Sequence, residues 1–235
     1  MKIIAVIPAR GGSKGISGKN IRQLAGTPLL GYTIEAALQA ETVNRVIVST
    51  DDTAIADVAA KYGAEVIKRP ADISGNEASS ESALLHVLDT LQDQENYSPD
   101  LLIFLQCTSP LTLPKDIDGT VQSLLDQKAD TSFAAAPFHY FIWLRSADGG
   151  MTGINHDAQK RLLRQHRNDQ FIESGAVYAM RVSGFLEHKH RFFGKTVIYE
   201  MPEERCFEID EPVDLLIAEQ LLQRQRIVMQ KGVKA

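Results

Sequence analysis

Cysteine is scarce in this chain: Cys107 and Cys206 are the only two in 235 residues. They are too few and too far apart for a disulfide framework or a C-x-x-C metal knuckle, which fits a reducing compartment. There is no run of about 18 apolar residues, and Met1-Lys2 leads straight into a short apolar stretch without an extended signal region. The expectation is a soluble, cytoplasmic protein with no membrane partner. Positive charge is not in excess either: the net charge is −5, with the cations gathered locally. That argues against a nucleic-acid partner and for a local anion site. No internal repeat is visible. The six histidines, His188 and His190 among them, lack convergent cysteine or carboxylate neighbours. They read as solvated or packing residues, and no catalytic triad is expected.

What is present is concentrated first in Ile3–Asn20, IIAVIPARGGSKGISGKN. Ile3–Ile7 has the length and β-branching of a buried strand, and it runs into a glycine-rich, basic loop. Gly11, Gly12, Gly15 and Gly18 let the backbone turn its N–H groups into one concavity, a shape that cradles phosphate. Arg10, Lys14 and Lys19 supply the charge. A Walker A loop is excluded, because Ser13 stands where its first glycine belongs and Asn20 follows Gly18-Lys19. The dinucleotide pattern G-x-G-x-x-G has no register here. The alternative to a phosphate cradle is a basic surface turn.

The rest of the chain alternates. Leu29–Ala40 has the apolar spacing of a helix face, Arg45–Thr50 reads as a buried strand, and Asp51/Asp52 can cap a helix that runs to about Tyr62. A short strand at Glu65–Lys68, a helix at Ser79–Leu91, a strand at Leu101–Gln106, a helix at Lys115–Gln127 and a strand at Thr131–Pro137 continue the pattern. This order predicts an α/β fold with a mostly parallel central sheet and right-handed crossovers. One domain over residues 1–235 is expected, with 138–170 as an inserted arm that contacts a subunit or substrate. Strands at Gly175–Arg181 and Thr196–Tyr199 flank a Phe185–Phe193 segment. A last helix runs from Pro212 to about Gln223, with a frayed tail after Arg224.

Ligands of open parallel sheets sit at the carboxyl ends of the strands, so residues just after each apolar run share a neighbourhood. Gln106 follows LLIFLQ and can read a sugar hydroxyl or amide, or else bond to backbone. Glu208 and Asp210, at i and i+2 on an extended segment, point to one side and can hold a hard divalent cation completed by water and phosphate oxygens. Mg²⁺ is expected, with Mn²⁺ as a substitute; the alternative is that Asp210 only caps the last helix. Asp214 suits the positive end of that helix and reads as structural. Phe192-Phe193 is either core or an apolar wall of a pocket.

Taken together, IPARGGSKGISGKNI (Ile7–Ile21), STDD (Ser49–Asp52), RPADISGNEASS (Arg69–Ser80), LQCTSPL (Leu105–Leu111), ESGAVY (Glu173–Tyr178) and EIDEPVDLLIAE (Glu208–Glu219) resemble the CMP-sialic acid synthetases, or acylneuraminate cytidylyltransferases. The resemblance implies a Rossmann-like nucleotidyltransferase fold with helices on both faces of the sheet and a small dimerisation arm. It also implies Mg²⁺-dependent transfer of CMP from CTP to the anomeric hydroxyl of a nine-carbon 2-keto acid sugar, with release of pyrophosphate. In its terms Ala9, Arg10, Gly11, Ser13, Lys14, Lys19, Asn20 and Ser80 bind the nucleotide. Gln106 and Arg164 meet the sugar, and Phe192 and Phe193 are lent to a neighbour's site. Glu208 and Asp210 hold the metal, while Arg10, Lys19 and Asp210 carry the catalysis. A homodimer follows, with a tetramer as a further assembly. Departures are Glu208 in place of the family's usual aspartate, Cys107 where proline is common, Glu173-Ser174, and the segment after Arg164-Gln165; they leave the identity of the sugar open. The competing readings are a cytidylyltransferase for the eight-carbon acid Kdo and a non-catalytic nucleotide-binding regulator.

Overall fold

In the computed structural model of the chain, residues 1–230 are described apart from Ser13, Lys14, Asn76, Arg161, Arg164, Gln165, Asn168 and Asp169. The first half of the chain forms β1 (Ile3–Pro8), β2 (Gln23–Leu24), β3 (Thr27–Pro28), α1 (Leu29–Gln39), β4 (Arg45–Thr50), α2 (Thr53–Lys61), β5 (Glu65–Lys68), α3 (Ser80–Glu95) and β6 (Leu101–Leu105). The second half forms α4 (Pro114–Asp126), β7 (Thr131–Pro137), β8 (Trp143–Arg145), β9 (Met151–Gly153), β10 (Phe171–Arg181), α5 (Val182–His188), β11 (Thr196–Glu200) and α6 (Pro212–Gln230). Single 3-10 turns stand at Lys19–Ile21, Ala71–Ile73 and Glu203–Arg205.

β1 lies inside a seven-stranded sheet of order β11-β7-β10-β6-β1-β4-β5. Its position follows from its sequence, since apolar residues on both faces must be covered on both sides. Ile3, Ala5 and Ile7 face a core shared with Leu30 and Ile34 of α1, Ile55 of α2, and Ile117 and Val121 of α4. Ile4 and Val6 face the opposite core, with Leu84, Val87 and Leu91 of α3 and Phe185 of α5. The helices are thus on both faces, as the resemblance implies. Their starts also follow the sequence. Asp52 Oδ1 accepts from Ile55 N at 3.0 Å to begin α2, and Ser79 Oγ accepts from Ser82 N at 3.1 Å to begin α3.

Within this sheet every strand is parallel to β1 except β10, which runs antiparallel to both β6 and β7. Reversal matters for the site. The amino half of β10, not its carboxyl half, lies at the rim where the parallel strands end, so Glu173, Ser174 and Gly175 are brought beside Gln106. Gln106 N donates to Ala176 O at 3.2 Å, which fixes that pairing.

Within 138–170, β8 and β9 pair as an antiparallel ribbon turned at Gly149-Gly150. One expectation needs correction. The tail expected to fray after Arg224 continues α6 to Gln230. The helix is tied back by Gln225 Nε2, which donates to Leu111 O at 3.3 Å, and by Arg226, which donates to Ala25 O and to Tyr32 Oη, each at 3.2 Å. Such long-range ties cannot be read from helical periodicity.

Candidate active site

The basic loop after β1 and the acidic segment before α6 are 190 residues apart in sequence, yet they meet in one cleft. Lys19 Nζ donates to Ile209 O at 2.8 Å and pairs with Asp210 Oδ1 at 3.3 Å. Close approach of the two segments depends on glycine: a Cβ on Gly15 would sit 2.8 Å from the Asp210 carbonyl oxygen. The acidic segment is itself braced from α6, whose Asp214 Oδ2 accepts from Asp210 N at 2.9 Å and Glu211 N at 2.8 Å. These bonds hold the Asp214 carboxyl below its usual range.

The cleft, of about 490 Å³, is lined by Arg10, Gly15, Lys19 and Asn20 from the loop, Ser80 from α3, Gln106 after β6, and Asp210. Arg10 reaches across it, donating from Nη1 to Gly75 O at 2.6 Å. Ala9 is fully buried and its N–H donates to Ser49 O at 2.9 Å, while Gly11 N donates to Asp51 Oδ1 at 3.0 Å. These two residues therefore seat the loop on β4. Ser80 opens α3, so the unpaired N–H groups and positive end of that helix face the cleft beside it, a disposition that favours an anion. Asn20 is turned inward: its Nδ2 donates to Arg10 O at 2.9 Å, and Cys107 Sγ lies 2.9 Å from its Oδ1. Ser13, Lys14 and Arg164 lie outside the described residues.

At the other end Glu208 is half-buried. With its amide nitrogen facing them, Gln106 donates to Glu208 Oε1 at 2.9 Å and to Gly175 O at 2.6 Å. Gly175 has φ +69°, and a Cβ there would fall 2.0 Å from Glu208 Oε1, so only glycine admits this contact. Burial, and then the nearby charge of Asp210, push the Glu208 carboxyl above its usual range, with Lys19 opposing and Glu173 adding to the rise. Among the described residues no group of three or more His, Cys, Asp or Glu side chains converges as a closed metal cage. A half-buried glutamate that feels the charge of a nearby aspartate, the aspartate open to the cleft, still fits a hard cation whose remaining ligands come from water and phosphate.

The aromatic wall beyond Gln106 contains residues to which sequence reasoning assigned no role. Phe104 lines the cleft and stacks on Tyr178 with centroids 5.3 Å apart. The Arg191 guanidinium lies 4.7 Å from the Phe104 centroid and 4.8 Å from that of Tyr178, and its Nε donates to Glu81 Oε1 at 2.7 Å. Burial alone would raise the Glu81 carboxyl, but the bond to Arg191 brings it below its usual range. Tyr178 Oη donates to Glu173, and burial together with that carboxylate pushes the phenol well up. Phe192 rests edge-on against Phe133 at 5.4 Å and Phe193 stacks on His188 at 5.3 Å, so each is packed on its own chain with part of its surface free. Arg69 was also passed over, although it opens one of the quoted motifs. It lines the cleft while 5% exposed, and donates to Ser49 O at 2.6 Å and Ser49 Oγ at 3.1 Å. Its signal in the sequence was a lone arginine at the end of β5, at the ligand-bearing rim.

A family profile described as cytidylyltransferase matches residues 4–234. N-acylneuraminate cytidylyltransferase A of Danio rerio is 36% identical over 227 residues, covering 94% of this chain and 51% of its own length. N-acylneuraminate cytidylyltransferase of Escherichia coli is 33% identical, covering 99% and 55%. The chain thus spans about half the length of these relatives. CMP-N,N'-diacetyllegionaminic acid synthase of Legionella pneumophila is 31% identical over 95% of this chain and 97% of its own. Among solved structures, CMP:2-keto-3-deoxy-manno-octonic acid synthetase complexed with CTP superposes with a TM-score of 0.70 at 18% identity, covering 96% of this chain and all of that one. The 4-diphosphocytidyl-2C-methyl-D-erythritol synthase of Anaerococcus prevotii superposes with a TM-score of 0.69 at 15% identity, over 94% and 98% of the two chains. These two likenesses show the nucleotidyltransferase fold. With the profile spanning nearly every residue and the Legionella relative matching end to end, the chain belongs to the cytidylyltransferase family, in the group of the CMP-sialic acid synthetases.

Proposed function

We propose that the protein transfers CMP from CTP to the anomeric hydroxyl of a nine-carbon 2-keto acid sugar and releases pyrophosphate. The observation that carries this reading is the meeting of Arg10 and Lys19 with Asp210 around one open cleft, with Glu208 directly behind its lining residue Gln106. The hydroxyl oxygen attacks the α-phosphorus and gives up its proton to water, the bond from that phosphorus to the bridging oxygen of the β-phosphate breaks, and pyrophosphate departs with the electron pair. Arg10 and Lys19 stabilise the negative charge that grows on the phosphate oxygens. Lys14 and Ser13, on the same loop, join them. Ser80 and the start of α3 orient the nucleotide, while Gln106 turns its amide from Glu208 towards the sugar. Arg164 and the free faces of Phe192 and Phe193 complete the sugar pocket, the aromatics serving the neighbouring subunit.

Glu208 and Asp210 would hold Mg²⁺, or Mn²⁺ in its place. Bound there, the ion supplies positive charge to the phosphate oxygens and relieves the repulsion between the two carboxylates. Fixing the reactants in line provides the remaining acceleration.

The working form is proposed to be a homodimer. The β8–β9 ribbon and its surroundings expose Trp143, Leu144, Met151 and Ile154, an apolar surface that a second copy would cover. On this reading the reaction takes place in the cytoplasm, where CTP is found, and the sugar is of the sialic, legionaminic or pseudaminic type. The length match to the Legionella relative supports that range.

The deciding assay is pyrophosphate release from CTP with a panel of nonulosonic acids and Kdo. The expected result is turnover with a nine-carbon acid. Turnover with Kdo alone would shift the substrate to the eight-carbon acid, and none with any acid would leave a nucleotide-binding regulator.

A further inference from the structure

The buried thiol at the floor of the cleft has no part in the reaction as written, yet it is wired to the phosphate loop. Cys107 is 5% exposed and lines the cleft, and its Sγ is 2.9 Å from Asn20 Oδ1. Asn20 is 6% exposed, and its Nδ2 donates to Arg10 O at 2.9 Å. A carboxamide oxygen can only accept and a backbone carbonyl can only accept, so the thiol must be the donor and the amide has one permitted orientation. Turned over, it would place oxygen against the Arg10 carbonyl. Arg10 is thereby held at its backbone by Asn20 and at its guanidinium by Gly75.

We infer that Cys107 is a positioning residue for the nucleotide: through the Asn20 amide it fixes the backbone of Arg10, and so the aim of the Arg10 guanidinium at the phosphates. The inference rests on the proposed role of Arg10 in holding CTP. Burial pushes the Cys107 thiol up to about 11, with Lys19 opposing the rise, so the group stays protonated and able to donate throughout the range in which a cytidylyltransferase works. Removing the donor leaves Asn20 Oδ1 buried without a partner and the amide free to rotate.

Calorimetric titration of CTP, with steady-state kinetics in parallel, tests this on five proteins: wild type, Cys107→Ala, Cys107→Ser, Asn20→Ala and Asn20→Ala/Cys107→Ala. Cys107→Ala should weaken CTP binding and raise KM for CTP by about 5- to 20-fold, with kcat and KM for the sugar within about twofold. Cys107→Ser, which keeps a donor, should stay within about threefold of wild type. In the Asn20→Ala background the second substitution should add less than about twofold, because the relay is already cut. If Cys107→Ala does not fold, Cys107→Val, similar in volume and without a donor, takes its place. CTP affinity unchanged in the donor-less variant, a serine variant as weak as the alanine one, or full additivity with Asn20→Ala would each overturn the inference. A wild-type protein that gives no heat with CTP overturns the reading of the cleft itself, and the relay falls with it.

Discussion

Lys19 is the residue on which the phosphate reading turns most sharply, because it is the cation that physically joins the loop to the acidic segment. Lys19→Ala should slow turnover by about 30- to 1000-fold, corresponding to roughly 2–4 kcal/mol of transition-state stabilisation. Pyrophosphate release measured at saturating CTP and sugar checks this, and near-normal turnover would remove Lys19 from the mechanism. Glu208 gives a prediction in pH. Its carboxyl is held above the ordinary range, so the charged form that the proposed cation site requires is lost on acidification earlier than for an exposed glutamate. The acid limb of kcat/KM should therefore lie above the usual glutamate value of about 4.3 and move down as Mg²⁺ is raised. The same shift has a stability consequence of opposite sense. A raised folded-state pKa penalises the folded protein above that pKa and not below the unfolded value, so Glu208→Gln should raise Tm near pH 8 and lose that advantage near pH 4. Thermal unfolding at the two pH values reads this directly.

At this scale, the sequence was informative where chemistry is packed into short spacing. The cations and glycines of residues 10–19, and the acids at 208 and 210, advertise themselves without a fold. Arg191 and Glu81 did not, because their pairing spans 110 residues and neither belongs to a local pattern. Arg69 was hidden for a similar reason: its partner is Ser49 on the adjacent strand, 20 residues earlier.

Among the elements, β10 shows what alternation can and cannot tell. GAVYAMR reads correctly as a strand, but its direction is a property of the pairing partners, and only the reversed direction places Gly175 against Glu208. Gly175→Ala should cost about 2 kcal/mol or more, since alanine is strained at φ +69° and its methyl group would displace Glu208. Urea unfolding measures that cost, and an unchanged midpoint would show that the loop accommodates a side chain. The acidic segment has a second anchor in Arg205, whose Nη2 and Nε donate to Asp116 at 2.7 and 3.0 Å from the 3-10 turn just before it. Both side chains are almost wholly enclosed, at 6% and 0% exposure. Arg205→Met removes the cation from the buried Asp116 carboxyl at the start of α4 and leaves it only Leu113 N and Tyr199 Oη as donors among the described residues, at an expected cost of about 3–5 kcal/mol in urea unfolding. The apolar face of residues 212–223 was legible as a helix, whereas its continuation to Gln230 depends on bonds to Leu111, Ala25 and Tyr32 in distant segments.

For the molecule as a whole, the mostly parallel sheet follows from the strand–helix alternation, while the β8–β9 ribbon turns apolar side chains outward. Leu144→Glu combined with Ile154→Glu should convert the proposed dimer to monomer in sedimentation velocity, and a wild-type protein that sediments as a monomer would remove the ribbon from that role.

Central to the account is that basic loop and acidic segment act together on one triphosphate. A double-mutant cycle of Lys19→Ala and Asp210→Asn, read as kcat/KM for CTP in pyrophosphate release, addresses it most directly. Side chains 3.3 Å apart that share a substrate should couple by about 1–3 kcal/mol, so that the double variant departs from the product of the single effects by roughly 5- to 150-fold. Strict additivity, with each substitution acting as though the other residue were elsewhere, would contradict it.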